Sequence, residues 1–322
     1  MPKKTVISIM LLCGLMNVAF SKIELLHHHC QYDDQLGFEM CKKQDKSDLV
    51  SLTSQASHNS YKLDQDIEFT SDSKGSWLYY NIIKPKLEKL KQHYKHVVSF
   101  GHNSAGIIFV DSGKIIISFH GTQNAEDIKT DATFMQGDLN ILGMHEGAYA
   151  HSGFLQRYLS DRADMLEKLT KIIKQKHHVK ALTKLKTLFT KNKTKQPLEI
   201  IITGHSMGGA LATLAAFDIK HNVFPESQVT LVTFNSPRVF NSTAAQTFEQ
   251  LLPDQAYRFW REYDPVSAVP LGRQGYKHVG KSLKLPAVNY FYPADNHRLT
   301  HTIKEVDSPY TIRPEAEHRG WL

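Results

Sequence analysis

Cysteine is scarce: the sequence has three in 322 residues. The fold therefore does not lean on a disulfide framework, and a chain this long buries a full core without one. Long apolar runs are lacking too. Beyond residue 21 no segment reaches the roughly eighteen consecutive apolar residues that mark a membrane-spanning helix, so the sequence predicts none there. Internal repeats are absent. Acid is missing from one stretch in particular: between Lys168 and Lys195 there are ten lysines, no arginine and no aspartate or glutamate. That run exceeds the whole net charge of +7, so the rest of the chain is net acidic and the basicity is local. Local basicity without a recognisable reading motif argues against a nucleic-acid binder. What remains, 41% hydrophobic and 22% charged, is ordinary for one large α/β domain with terminal extensions.

The one apolar run that is present lies at the start. Lys3 and Lys4 precede Val6 to Phe20, and Ala19 and Ser21 are small residues at the positions a signal peptidase reads before Lys22. Residues 1–21 are expected to be a signal peptide, with the mature chain secreted (extracellular or periplasmic); an uncleaved anchor is the alternative. Cys13 leaves with the leader. Cys30 and Cys41 remain as an even pair in an oxidising compartment, and a disulfide between them is expected. Closing so short a loop stabilises by about 2–3 kcal/mol. Residues 22–75 are polar and weakly patterned, an N-terminal extension in which "SQASHNS" (54–60) reads as loop. His27, His28 and His29 read as a solvated run, because adjacent histidines point in different directions. Residues 76–322 form the main domain.

In that domain a helix is predicted from Trp77 to about Tyr94, broken near Pro85. "AGIIFVDSGKIIISFHGT" (105–122) is a hairpin whose turn is Asp111-Ser112-Gly113. Its second strand is apolar without alternation, as a strand buried on both faces would be. A long helix follows, capped at Ser152 and running on into the lysine-rich stretch. Strand 198–203, helix 207–220, strand 229–234 and strand 257–262 complete the pattern. Strands alternating with helices mean a mostly parallel sheet covered on both faces.

"ITGHSMGGALATLAA" places one serine at the joint between an apolar strand and an alanine-rich helix. A serine at such a turn is held in strained geometry with its hydroxyl pushed outward, and residues two before and two after crowd neighbouring backbone. Gly204 and Gly208 fill those places. Serine alone is a poor nucleophile and needs a base that is itself oriented by an acid. In this architecture the order along the chain is serine, acid, histidine. Asp264, just past the strand "YRFWREY", faces the rim on which Ser206 sits; Asp254 and Glu262 read as solvated charges.

"SFHGT", "HSGF", "ITGHSMGGALATLAA", "FNSPRV" and "YDPVSAVP…GYKHVG" occur in that order. The set resembles the fungal-type, or class 3, lipases over roughly residues 100 to 305. The resemblance implies an α/β-hydrolase that cleaves lipid esters through a Ser-Asp-His triad, with no metal or other cofactor. It makes Ser206 the nucleophile, Asp264 the orienting acid and His297 the base, with His301, His278 and His318 as alternative bases. It implies Thr122 and the backbone N–H of Met207 as oxyanion donors, and a lid over residues 123–136. Three departures stand out: His120 where arginine is frequent, and Asn235 and Phe240 where glycine is usual. They motivate a rival expectation, an inactive lipase-like module that binds lipid or protein. The lysines from Lys168 to Lys195 are expected either to dock on an anionic membrane or to form a solvated face.

Overall fold

The computed structural model describes residues 28–33, 38–43, 53–54, 56–57, 95–101, 105–111, 113–121, 135–184, 197–301 and 313–314. The strands in chain order are β1 (His28–Asp33), β2 (Phe38–Lys43), β3 (Lys95–Phe100), β4 (Gly106–Asp111), β5 (Lys114–Phe119), β6 (Gln136–Asp138), β7 (Tyr149–His151), β8 (Glu199–His205), β9 (Gln228–Phe234), β10 (Phe240–Asn241), β11 (Ala256–Arg261), β12 (Tyr276–Lys277), β13 (Lys281–Leu285) and β14 (Arg313–Pro314). The α-helices are α1 (Ser152–Lys184), α2 (Met207–Asp218), α3 (Ser242–Leu251) and α4 (Pro293–Asn296).

Among the described residues eight strands form one sheet in the order β14-β13-β11-β9-β8-β5-β4-β3. Its middle is parallel, from β5 through β8, β9 and β11 to β13. Antiparallel pairs close both edges: β3 and β4 with β5 on one side, β14 on the other. The expected hairpin is β4 and β5, and every residue of β5 from Ile115 on is buried. Isoleucine-rich strands of this kind suit a sheet covered on both faces. A small antiparallel sheet, β12-β10-β7-β6, lies apart from the large one. The pair β1–β2 is a separate hairpin whose register sets Cys30 opposite Cys41.

Helix α2 is covered all round: every residue from Gly208 to Asp218 is buried. Its alanines and glycines are small enough to pass between the sheet and α1. A buried polar knot ties the two helices. Asp218 accepts hydrogen bonds from Tyr158 Oη at 2.6 Å, Arg162 Nε at 2.6 Å and Asn222 Nδ2 at 2.8 Å. A carboxylate taken wholly out of water is tolerated only when ligated in this way. Burial, and then the adjacent Asp218, push the Tyr158 hydroxyl well above its ordinary pKa.

Several details depart from the sequence reading. Ser152 is not a cap outside the helix but its first residue, because β7 runs directly into α1 and Ser152 N–H is satisfied by Met135 O at 2.8 Å. The helix expected over 207–220 changes to a π turn at Ile219–Val223. "SQASHNS" is not all loop: Ser54, Ala56 and Ser57 are helical and fully buried, and Ser57 Oγ lies 3.1 Å from Thr203 Oγ1 on β8. Small hydroxyl side chains fit there because they find partners on the sheet. Packing against the sheet thus begins well before residue 76. The leader (1–21), the helix expected over 77–94, Thr122, the lid segment 123–134 and His318 lie outside the described residues.

Candidate active site

β8 ends at His205 and α2 starts at Met207, leaving Ser206 alone at the turn. Its φ is 58° and ψ −132°, a backbone conformation that side-chain-bearing residues rarely adopt. Ser206 N–H donates to Phe234 O of β9 at 3.0 Å, which anchors the turn to the neighbouring strand. The flanking glycines are required by space. A Cβ on Gly204 would collide with Gly208 O, and one on Gly208 would stand 2.5 Å from Phe119 O. A Cβ on Gly209 would meet Ser236 Cβ at 2.7 Å. Ser206 Oγ is buried and has no hydrogen-bond partner among the described residues.

Asp264 stands three residues past the end of β11. The chain turns through Tyr263, at φ 59°, and Asp264 N–H returns to Arg261 O at 3.2 Å. Asp264 Oδ1 accepts from Val266 N–H at 2.9 Å and Oδ2 from Ser267 Oγ at 2.9 Å. His297 Nδ1 lies 3.0 and 3.1 Å from the two carboxylate oxygens. Since a carboxylate only accepts, Nδ1 carries the proton and donates, which leaves Nε2 as an acceptor. No hydrogen bond joins His297 to Ser206 among the described residues; such contacts commonly tighten only when substrate is bound.

The backbone behind His297 is held from below. His205 Nε2–H donates to His297 O at 2.7 Å. Asn235 Nδ2 reaches His297 O at 3.3 Å and Asn296 O at 3.2 Å, while Asn235 Oδ1 accepts Arg261 N–H at 3.1 Å. Asn235 thus ties the end of β11, which leads to Asp264, to the turn that carries His297. Its φ of 49° explains why glycine is usual at this place: the backbone is left-handed there, and asparagine is the side chain that tolerates it best. Sequence reasoning noted the departure but missed the role. The signal available was that asparagine stands where a positive φ is needed.

The other histidines do different things. His278 Nε2–H donates to Ser267 O at 2.9 Å, so it supports the residue that bonds Asp264 rather than Asp264 itself. His301 sits one turn after His297, half-buried, with its N–H on Arg298 O. His120 is buried, and its Nδ1–H donates to Gly121 O at 2.8 Å. Phe119 is in register with Gly204, so the chain that leads on to residue 122 departs beside the Ser206 turn. Phe240 is fully buried and packs on Phe248. Among the described residues no three or more His, Cys, Asp or Glu side chains converge as a metal ion would need.

Burial holds His205 well below the ordinary histidine pKa, with His297 adding to the effect. Burial does the same to His278, helped by Arg258 and Arg238. A histidine depressed on folding binds its proton more tightly when unfolded, so stability falls as pH drops below the unfolded pKa of about 6.5. We therefore expect the thermal midpoint to fall between pH 7.5 and 5, and the fall to be shallower in His278→Gln. Scanning calorimetry at several pH values checks this.

Comparison with known proteins bears on the family and the fold. Residues 116–274 match the family described as Lipase (class 3). Over that stretch the chain matches the class 3 lipase family. The resemblance read from the motifs is borne out, and the match takes in Ser206 and Asp264 but ends before His297. A secreted mono- and diacylglycerol lipase A of Penicillium cyclopium is 28% identical over 189 residues, which are 58% of this chain and 53% of that one. A phospholipase A1-II 2 of Oryza sativa subsp. indica is 30% identical over 185 residues, 52% of this chain and 44% of its own length. The chain thus spans about half the length of the curated relatives it matches. Among solved structures, the mono- and diacylglycerol lipase from Aspergillus oryzae aligns with TM-score 0.54 at 21% identity, over 85% of this chain and 87% of that one. The fold is accordingly that of an α/β-hydrolase, as expected.

Proposed function

We propose that the protein is a secreted serine ester hydrolase acting on lipid esters. Its substrates are of the glyceride or phospholipid type found in the names of its relatives, and secretion is likewise carried over from relatives named as secreted. The observation that carries the reading is the pairing of a buried, strained serine at a strand-to-helix turn with an Asp264–His297 hydrogen bond on the same rim.

Ser206 Oγ attacks the acyl carbonyl while His297 Nε2 takes its proton. Asp264 holds the imidazole by Nδ1 and stabilises the cation that forms. The tetrahedral oxyanion is received by Met207 N–H, at the positive end of α2, and by Thr122. His297 then gives the proton to the departing alcohol, leaving an acyl-serine. Water, deprotonated by the same imidazole, cleaves that ester, and the proton returns to Ser206 as the fatty acid leaves.

The rival reading, an inactive binding module, drew on Asn235 and Phe240. Both now have structural work: Asn235 bonds the turns that carry Asp264 and His297, and Phe240 fills core. Docking of Lys168–Lys195 on an anionic membrane is weakened at its start, where Lys168 and Lys171 are paired with Asp164 and Glu167. Fatty-acid release from triglyceride, diglyceride, phospholipid and lysophospholipid tests the reading. Release from at least one by the wild type and none by Ser206→Ala is expected; release from none, or equal release by both, contradicts it.

A further inference from the structure

The segment between β13 and α4 reads Pro286-Ala-Val-Asn-Tyr-Phe-Tyr-Pro293, and from Leu285 to Ala294 it carries no charge. Its aromatic side chains point into solvent: Tyr290 is 66% exposed, Phe291 89% and Tyr292 69%. Together with Val288 and Tyr263 they make up five of the seven exposed large apolar side chains among the described residues. Tyr263 and Tyr290 meet edge to face at 5.4 Å, so this is one patch and not scattered residues.

The exposure is built in. Asn296, fully buried, accepts Val288 N–H at 2.7 Å and Asn289 N–H at 3.1 Å, and donates to Asn289 O at 2.6 Å. Asn289 Oδ1 accepts Phe291 N–H at 2.9 Å and Tyr292 N–H at 3.1 Å, while its Nδ2 donates to Asp295 at 3.0 Å. Two asparagines therefore pin the backbone in a tight knot from which the rings protrude. An aromatic run free to move would fold back and cover itself. This one is held out.

Its place is equally specific. Tyr263 directly precedes Asp264, and Tyr292 is five residues before His297, so the patch is covalently attached to both members of the Asp–His pair. A standard protein–protein interface draws on about 20–30 residues a side, whereas this patch gathers five exposed large apolar side chains. Tyrosine and phenylalanine on an uncharged turn instead match the boundary between lipid headgroups and acyl chains, where amphipathic rings settle and no charge has to be desolvated.

We propose that Val288–Tyr292, with Tyr263, inserts into the surface of a zwitterionic lipid bilayer and turns the rim bearing Ser206 and His297 toward it. This rests on the lipid-ester reading above but is separable from it. The test uses the full chain carrying Ser206→Ala, sedimented with phosphatidylcholine vesicles, against the same protein with Tyr290→Ser, Phe291→Ser and Tyr292→Ser added. Exposed apolar area removed from the contact should lower vesicle partition by about tenfold or more. Equal partition of the two, or binding seen only after phosphatidylserine is added and equal in both, overturns the proposal. Phe291→Trp gives a second readout that does not depend on the triple variant folding: its emission should shift to the blue on phosphatidylcholine vesicles, and an unshifted spectrum counts against insertion. Hydrolysis of a short soluble ester by the wild type reports on the ester-hydrolase reading independently, since it needs no vesicle.

Discussion

Ser206→Ala is expected to lower kcat on any ester substrate by about 10⁶-fold, the loss seen when the nucleophile of such a triad is removed. At about 1.4 kcal/mol per tenfold, that is roughly 8 kcal/mol of transition-state stabilisation. The hydroxyl has no hydrogen-bond partner to lose among the described residues, so its removal leaves no orphaned group behind. The variant should therefore fold and melt close to the wild type. Steady-state assay and a thermal melt, run together, separate lost chemistry from lost structure. A variant with more than a few per cent of wild-type turnover would show that another group does the attacking.

Asp264→Asn is expected to cost about 10⁴-fold in kcat, through the tautomer of His297 and not through its position. The amide that replaces the carboxylate turns an N–H toward Nδ1, so the imidazole proton moves to Nε2 and the base is blocked. The geometry makes this substitution harder to absorb than most, because both carboxylate oxygens are already engaged by Val266 N–H and Ser267 Oγ. An amide retains one acceptor where two are used. KM on a soluble ester should change little while kcat collapses. A fall in kcat of less than tenfold would mean that Asp264 does not orient the base.

Much of this architecture was legible because it follows from local rules. Strand β5 announces itself by four apolar residues in its last five, and β8 by an isoleucine run shortly before Gly204. The turn around Ser206 was readable because only glycine fits the approaches made by residues 204 and 208. Asp264 stands out in the sequence because it follows the strand YRFWREY and comes after Ser206 along the chain. Other features left no periodic trace. Strands β6, β7, β10 and β12 have two or three residues each, too few for alternation to show. Strand β13 does alternate, with Leu283 and Leu285 buried and Lys281 exposed, yet its lysines disguised it. The contact between Ser57 and Thr203 spans 146 residues, and nothing in the stretch SQASHNS signals a partner so distant. The choice of His297 over His301 was not decided by spacing. It is the Nδ1 distance of 3.0 Å to Asp264 that favours His297 as the base.

Asn235 shows how a departure from a family pattern can carry information in both directions. Read as a loss of glycine, it motivates the expectation of an inactive lipase-like module. In the structure it supplies three hydrogen bonds that link Arg261, Asn296 and His297, at a backbone angle that asparagine accommodates. The substitution has an explanation that only the three-dimensional neighbourhood could supply.

The central claim is that the hydroxyl of Ser206 is a nucleophile activated by His297. Treatment of the wild type with a fluorophosphonate, followed by proteolysis and mass spectrometry, tests it most directly. The account predicts one phosphonylated peptide, modified at Ser206, with labelling lost in Ser206→Ala and strongly slowed in His297→Ala. Labelling at a different serine, or an unmodified Ser206 under conditions where the probe is intact and the protein folded, would contradict it.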